Sequence, residues 1–374
     1  MSVRLYGRAL GHGSLSVVTS GFREVLEGAG LLEGFVALDK SGGDEEQDSP
    51  PGALARDGVF TGNLNLVPVM RRGARHERHW VQVTPNSTHI PRNLLAAVMD
   101  LPNLRILSAS QWGTTMIGSA LAEMGLRYIE DGNVWCTYAA PGKTVEIHTM
   151  GHGVSGFAPV LEELATARAD FARGEFRVIH FSTTDGERKG TLELVQAWQM
   201  LEKVLPCRPE LLLVLDHHAH AALQQRMLDL EIVLPSSARI LPRGDMDAAA
   251  MSRVLCRMHL VAAPSRGEGF HLGVLESRAC GVPVACTTTT GLSAGHAEGP
   301  GVVSIRQSDK LRPIDDGPGA MAPPLYPADI VESIAFAFSN WTELSFGAEE
   351  SAPDVAREWS WQSQLAPLVE RLRA

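Results

Sequence analysis

Residues 263–287 read APSRGEGFHLGVLESRACGVPVACT. An apolar strand over 259–263 stops at Pro264, and a loop follows in which Gly267 and Gly269 permit a sharp turn. A helix is expected from near His271 to Gly281, after which 282–287 re-enters a sheet. Glycines at a strand-to-helix turn let backbone N–H groups approach an anion, and the helix start adds its positive end. The pattern therefore predicts a phosphate seat formed by Gly269, Phe270, His271 and Leu272. Two acids flank it. Glu268 precedes the helix, while Glu276 lies about a turn and a half inside it, so both face one ligand from different heights. Carboxylates accept paired hydrogen bonds from vicinal hydroxyls, which ribose and hexose rings share. One acid for each ring of a nucleotide sugar is the economical reading.

The surrounding chain keeps a strand and helix rhythm. Upstream, 176–181 and the continuous apolar run 210–215 are predicted strands. Between them a helix over 191–205 aligns Leu194, Val195, Trp198, Leu201 and Leu205 on one face. Helices are expected over 221–230 and 246–258, with a short strand at 239–241, and the tail reads as two helices, 328–341 and 355–372, joined by a polar loop. A glycine-rich break at 149–154 separates this half from an earlier one. There, strands are expected at 3–10, 34–38, 58–60, 80–84, 104–108 and 133–138, with helices after the turn Gly11-His12-Gly13-Ser14 and across 115–124. Such alternation favours parallel sheets covered on both faces, and 374 residues are enough for two domains.

Residues 268–284, EGFHLGVLESRACGVPV, resemble the mark of the retaining glycosyltransferases of family 4: Glu, seven residues, Glu, in a setting like EGFGLxxLEAMACGxPVV. The match is closest over 261–287, and a looser likeness extends along nearly the whole chain. That family has the GT-B fold. The resemblance implies an α/β protein of two Rossmann-like domains with parallel sheets facing across a cleft. An acceptor-side domain would span 1–152 and a donor-binding domain 153–353, with the helix 354–374 packing back on the first. It further implies transfer of a sugar from a UDP- or GDP-sugar donor to a hydroxyl acceptor with retention, the acceptor attacking from the face the diphosphate leaves. Neither metal nor cofactor is implied. Glu268 then holds the donated sugar and Glu276 the ribose.

Residues 185–190, DGERKG, carry a second match, in which Lys189, with Arg188, neutralises the diphosphate. The chain departs from the family six positions before that lysine, where Thr183 replaces an Arg and Arg188 is the compensating cation. By the same resemblance Gly13 approaches the donor phosphates or the acceptor. Many relatives place a His after a strand of the first domain near the reacting sugar; here that region is 83–89, VTPNSTH, so Asn86 or His89 takes the role.

Charge bounds the partners. A formal charge of −10 argues against a generally polyanionic partner. One segment opposes this: 71–79, RRGARHERH, holds four Arg and two His against one Glu. It reads either as a solvated face or, through Arg71 and Arg72, as a contact with a phosphorylated acceptor such as a lipid-linked phosphate or a nucleic acid with a hydroxylated base. Asp216-His217-His218-Ala219-His220 reads better as a helix cap with surface histidines than as a metal site, because adjacent histidines diverge at a helix start. The five cysteines show no paired ligand spacing and are expected to be reduced and mostly buried. The N-terminus has no apolar stretch behind a basic start, so a cytoplasmic protein without a transmembrane segment is expected. Three rival functions stay open: a DNA-modifying glycosyltransferase, a sugar-nucleotide epimerase or phosphorylase, and a non-catalytic nucleotide-sugar-binding protein.

Overall fold

The computed structural model describes residues 2–8, 14–38, 44–45, 55–61, 76–85, 90, 92–131, 135–182, 186–215, 217–242, 246–308, 310–314 and 320–374. They form two compact units, one drawn from 1–86, 90–153 and 359–374, the other from 154–358. Among the described residues no helix is long and apolar enough to cross a membrane.

The first unit is built on β1 (Val3–Arg8), β2 (Leu32–Leu38), β3 (Asp44–Glu45), β4 (Asp57–Phe60), β5 (Arg78–Gln82), β6 (Leu104–Ser108), β7 (Arg127–Asp131), β8 (Trp135–Ala140) and β9 (Lys143–Thr149). They lie in the order β3-β2-β1-β4-β5-β6-β9-β8-β7. The centre is parallel, as the alternation predicts. Both edges are antiparallel, which it did not. The cause at one edge is local: Pro141 and Gly142, at φ 76°, turn the chain so tightly that Ala140 faces Lys143, and a hairpin replaces a helical crossover. The helix expected at 115–124 begins earlier, at Gln111, because the Ser110 side chain accepts the Gly113 N–H at 3.1 Å and caps it. The last helix, Trp361–Arg373, belongs to this unit. Arg78, fixed by both oxygens of Asp57, holds its end through the carbonyls of Arg371 and Leu372.

The second unit contains β10 (Glu175–Phe181), β11 (Arg208–Leu215), β12 (Ala238–Pro242), β13 (Leu260–Ala263), β14 (Val284–Cys286) and β15 (Val302–Ser304), all parallel, in the order β12-β11-β10-β13-β14-β15. Period-two alternation splits each strand between two cores. Leu211, Leu213 and Leu215 enter the core with Val195, Trp198 and Ile330, while Leu212 and Val214 enter the other with Leu164, Leu255 and Val274. Both faces are thus covered. The strand order is that of a doubly wound sheet whose winding reverses between β10 and β13, and such sheets bind ligands beyond the carboxyl ends of the strands at that reversal.

The tail holds three helices rather than two: Pro327–Ser339, Trp341–Glu358 and Trp361–Arg373. Residues expected to be a polar loop form most of the middle one. Its inner face carries Trp341 and Val355 with Ser345, Ala348 and Ala352 between them, and the small residues approach backbone: a Cβ on Gly301 would collide with Ala348, and one on Gly281 would come within 3.0 Å of the Glu349 Cα. Gly347 and Pro353 lie inside this helix, residues that ordinarily interrupt a helical pattern, so it reads as a loop in the sequence.

Candidate active site

At the reversal point the chain leaves β10 at Phe181 and β13 at Ala263. Between these ends His180 Nδ1 bonds the Ala262 carbonyl at 2.8 Å, and its Nε2 bonds Thr191 Oγ1 at 3.0 Å. A carbonyl only accepts, so Nδ1 carries the proton and Nε2 accepts from Thr191. The Thr191 hydroxyl in turn accepts from Ser182, 2.6 Å away. Burial holds the His180 pKa down to about 4, so the ring stays neutral and the chain of bonds intact. The sequence reading missed this link, although a His inside the apolar run FRVIHF was a visible signal.

After β10, the short helical turn Gly186–Lys189 ends at Gly190, which has φ 68°. A Cβ there would collide with the Pro264 carbonyl, so glycine alone lets the turn lie against the loop after β13. The turn and loop are then joined by the Arg266 N–H to the Arg188 carbonyl at 2.8 Å, and by Arg188 to the Gly267 carbonyl at 2.9 Å.

This contact brings the predicted ions together. Lys189 Nζ donates to Glu268 Oε1 at 2.6 Å, and Arg188 stands 3.3 Å from the same oxygen. Ser265 Oγ donates to it at 2.7 Å. The Glu268 N–H bonds Thr290 Oγ1 at 3.0 Å, while its carbonyl accepts the Gly291 N–H at 2.7 Å. Burial pushes the Glu268 carboxyl up, but the Lys189 and Arg188 cations outweigh it and hold it well below the ordinary carboxylate range. The acid is a buried anion set in fixed cations. Arg266 reinforces the field of charge beside it, donating to Glu187 at 2.9 Å. Ser265, Thr290 and Arg266 were not anticipated. The run of four threonines at 287–290 was the only signal, and a loop hydroxyl acquires a partner only once the loops after β13 and β14 converge.

The helix predicted from His271 runs over Leu272–Ala279. Its cap, His271, has φ 74° and ψ 70° and makes no side-chain cap bond. A non-glycine residue in this region costs about 1–2 kcal/mol. The first N–H groups of the helix have no intrahelical acceptor. Phe270 turns its side chain inward, stacked on His296 at 4.0 Å. Gly269 packs where a Cβ on Gly291 would collide with its carbonyl group. Leu272 is buried, and Glu276 is half-buried on the same helix, on the face shared with Gly273 by helical spacing.

Gly13, Arg71, Arg72, Asn86, His89 and Thr183 lie outside the described residues. Three later members of the basic segment are engaged internally. Arg78 serves Asp57 and the last helix, His76 bonds Tyr6 and the Ala55 carbonyl, and His79 bonds the Pro102 carbonyl. Of the Asp216–His220 cluster, Asp216 lies outside the described residues, the helix starts at His217 without described side chains at 217–219, and His220 is half-buried. Cys136, Cys256, Cys280 and Cys286 are buried and Cys207 is half-buried, none of them in a disulfide.

Residues 175–322, from β10 to the segment beyond the site, match the family described as glycosyl transferases group 1. The chain is 28% identical over 240 residues to a D-inositol 3-phosphate glycosyltransferase of Corynebacterium urealyticum, covering 62% of this chain and 51% of that protein. It thus spans about half the length of the curated relative it matches. Among solved structures it is similar to Anabaena HepE in complex with UDP and glucose, with a TM-score of 0.64 and 15% identity over 100% of this chain and 99% of the other. It is also similar to the UDP-forming α,α-trehalose-phosphate synthase of Burkholderia vietnamiensis, with a TM-score of 0.66 and 11% identity over 100% and 97%. These likenesses give the fold, which is GT-B. The segment that carries the paired lysine and glutamate is thus similar to the glycosyl transferases group 1 family.

Proposed function

We propose that the protein is a retaining glycosyltransferase that moves a sugar from a UDP- or GDP-sugar to a hydroxyl acceptor without a metal. The observation that carries this reading is the buried Lys189–Glu268 pair at 2.6 Å in front of the helix Leu272–Ala279, at the point where the strand order reverses. A diphosphate seated on the helix start accepts the backbone N–H groups of 270–272 and meets Lys189 and Arg188. As the bond between the anomeric carbon and the diphosphate oxygen lengthens, negative charge gathers on the leaving group, and these fixed cations stabilise it without reorganisation. Glu268 accepts hydrogen bonds from the sugar hydroxyls, and Glu276, deeper along the helix, holds the ribose. The acceptor hydroxyl attacks from the face the diphosphate leaves, and its proton passes to the departing phosphate oxygen. Two cations at the diphosphate supply the role a divalent ion plays elsewhere.

A thermal-shift screen of nucleotide sugars tests the reading, since ligand bound to the native state raises the melting temperature with affinity. One nucleotide sugar should give a shift above its free nucleoside diphosphate, and turnover with acceptor should survive an excess of EDTA. No shift with any donor sinks the transferase reading; activity abolished by EDTA and restored by Mg²⁺ or Mn²⁺ sinks its metal-free form. Donor conversion with no acceptor present would identify an epimerase instead.

A further inference from the structure

His271 differs from His180 and His259, two other buried histidines of its unit. His180 and His259 each use both ring nitrogens: His180 on Ala262 and Thr191, His259 on the Arg177 N–H and the Ala167 carbonyl. Both nitrogens of His271 are buried without a hydrogen-bond partner among the described residues, and the residue is 8% exposed. Its backbone adds a second anomaly. At φ 74° it occupies a conformation that glycine adopts freely, at the position where the motif it resembles carries glycine. A buried, unbonded ring kept at the expense of backbone strain points to a partner absent from the chain.

The ring faces the site. His271 Nε2 is 3.9 Å from Glu268 Oε1, too far for a hydrogen bond yet close enough for one oxygen to lie about 2.8 Å from both. The bonds from Lys189 and Ser265 both reach Oε1, and none from the described residues reaches Oε2. We propose that His271 is a specificity-determining residue whose imidazole, together with the Glu268 carboxylate, grips one hydroxyl of the transferred sugar. This rests on the donor-site reading above. The hydroxyl accepts from the ring N–H and donates to the carboxylate, so it satisfies both groups, as water would do only without regard to sugar configuration. Burial and the neighbouring Lys189 hold the ring pKa near 3, with Glu268 opposing, so the ring is neutral and has one N–H and one lone pair to offer.

The test uses the full chain and a panel of UDP-glucose, UDP-galactose, UDP-xylose and GDP-mannose with free UDP and GDP. His271→Gly suits the backbone, so it should melt no lower than the parent. It should raise KM for the preferred donor about tenfold, the loss of one neutral hydrogen bond, while kcat changes less. Discrimination between that donor and its nearest hydroxyl epimer should collapse, and binding of the free nucleoside diphosphate should not change. His271→Asn, which tolerates the same backbone and keeps a donor and an acceptor, should restore part of the discrimination. Unchanged KM and unchanged sugar preference in His271→Gly overturn the proposal while leaving the donor site standing. An equal loss of free UDP or GDP binding also overturns it, since the ring would then serve the phosphate seat. A parent protein that binds no panel member rejects the donor-site reading itself.

Discussion

At the carboxyl rim of the second sheet Arg188, Lys189 and Arg266 are buried and locked to Glu268 or Glu187, whereas at the amino rim of the same strands Arg208 and Arg239 are 78% and 72% exposed. The amino-rim pair faces Glu175 and Glu210 around an open hollow of about 280 Å³ that Arg177, Ser236 and Ser237 also line. Residue types are the same at both ends, and their physics differs. Water screens the amino-rim ions, so each pair contributes little. At the carboxyl rim the charges have lost their hydration and depend on one another, which makes them strong toward a ligand and costly to break singly. Charge count does not distinguish a site from a surface; desolvation does.

Lys189→Met attacks this contrast most directly. It strands a buried carboxylate beside Arg188 alone and should lower stability in urea unfolding by about 3–5 kcal/mol. Turnover should fall at least about a hundredfold. Adding Glu268→Gln should return most of the stability and none of the activity, and a double variant as unstable as Lys189→Met would mean that the pair is not the cause. Acid is the next lever. The His180 pKa is about 4 in the fold against 6.5 unfolded, so protonation favours the unfolded chain. The stability this ring contributes is present above pH 6.5 and is lost as pH falls toward 4. At about 1.4 kcal/mol per pH unit it amounts to roughly 3 kcal/mol. Melting temperature measured between pH 7 and 4.5 should fall, and less steeply in His180→Asn; parallel slopes would exonerate His180. Gly190→Ala, placed in a left-handed conformation against the Pro264 carbonyl, should cost about 1–3 kcal/mol and weaken donor binding with it. At the amino rim, Arg208→Ala and Arg239→Ala should each stay within about 0.5 kcal/mol of the parent and leave donor binding unchanged. A larger effect there would erase the distinction between the rims.

The carboxyl rim was legible where chemistry follows from spacing. The strand, glycines and helix of 259–281 appear close to their expected bounds, since a buried parallel strand followed by a glycine turn has few alternative shapes. Lys189 and Glu268 could be matched to a pattern separately, and the fold brings them to 2.6 Å. What remained hidden depends on convergence. Thr290 bonds Glu268 only because the loops after β13 and β14 interlock, with Thr287 Oγ1 bonding the Ser265 carbonyl at 2.6 Å, while Ser265 reaches Glu268 within its own loop. The helix Trp341–Glu358 stayed hidden because Gly347 and Pro353 lie inside it and break the pattern by which helices are read. The antiparallel pairing of β8 with β9 escapes the strand and helix rhythm because the tight Pro141-Gly142 turn stands where a crossover is expected.

The non-sequential neighbours at the sheet centre also set the order of assembly. Strands β10, β11 and β12 all lie within residues 175–242 and pair in chain order, so they can associate as soon as that length has left the ribosome. The other edge of β10, with the apolar run FRVIHF, then waits for residues 260–263. An open apolar edge of this kind templates pairing with other chains, and every strand that depends on distant partners prolongs the wait. Insertion of β13 ends that aggregation hazard and, by carrying Glu268 to a lysine 79 positions upstream, creates the ion pair in the same event. A nascent chain halted before residue 260 should therefore be both sticky and unable to bind a donor.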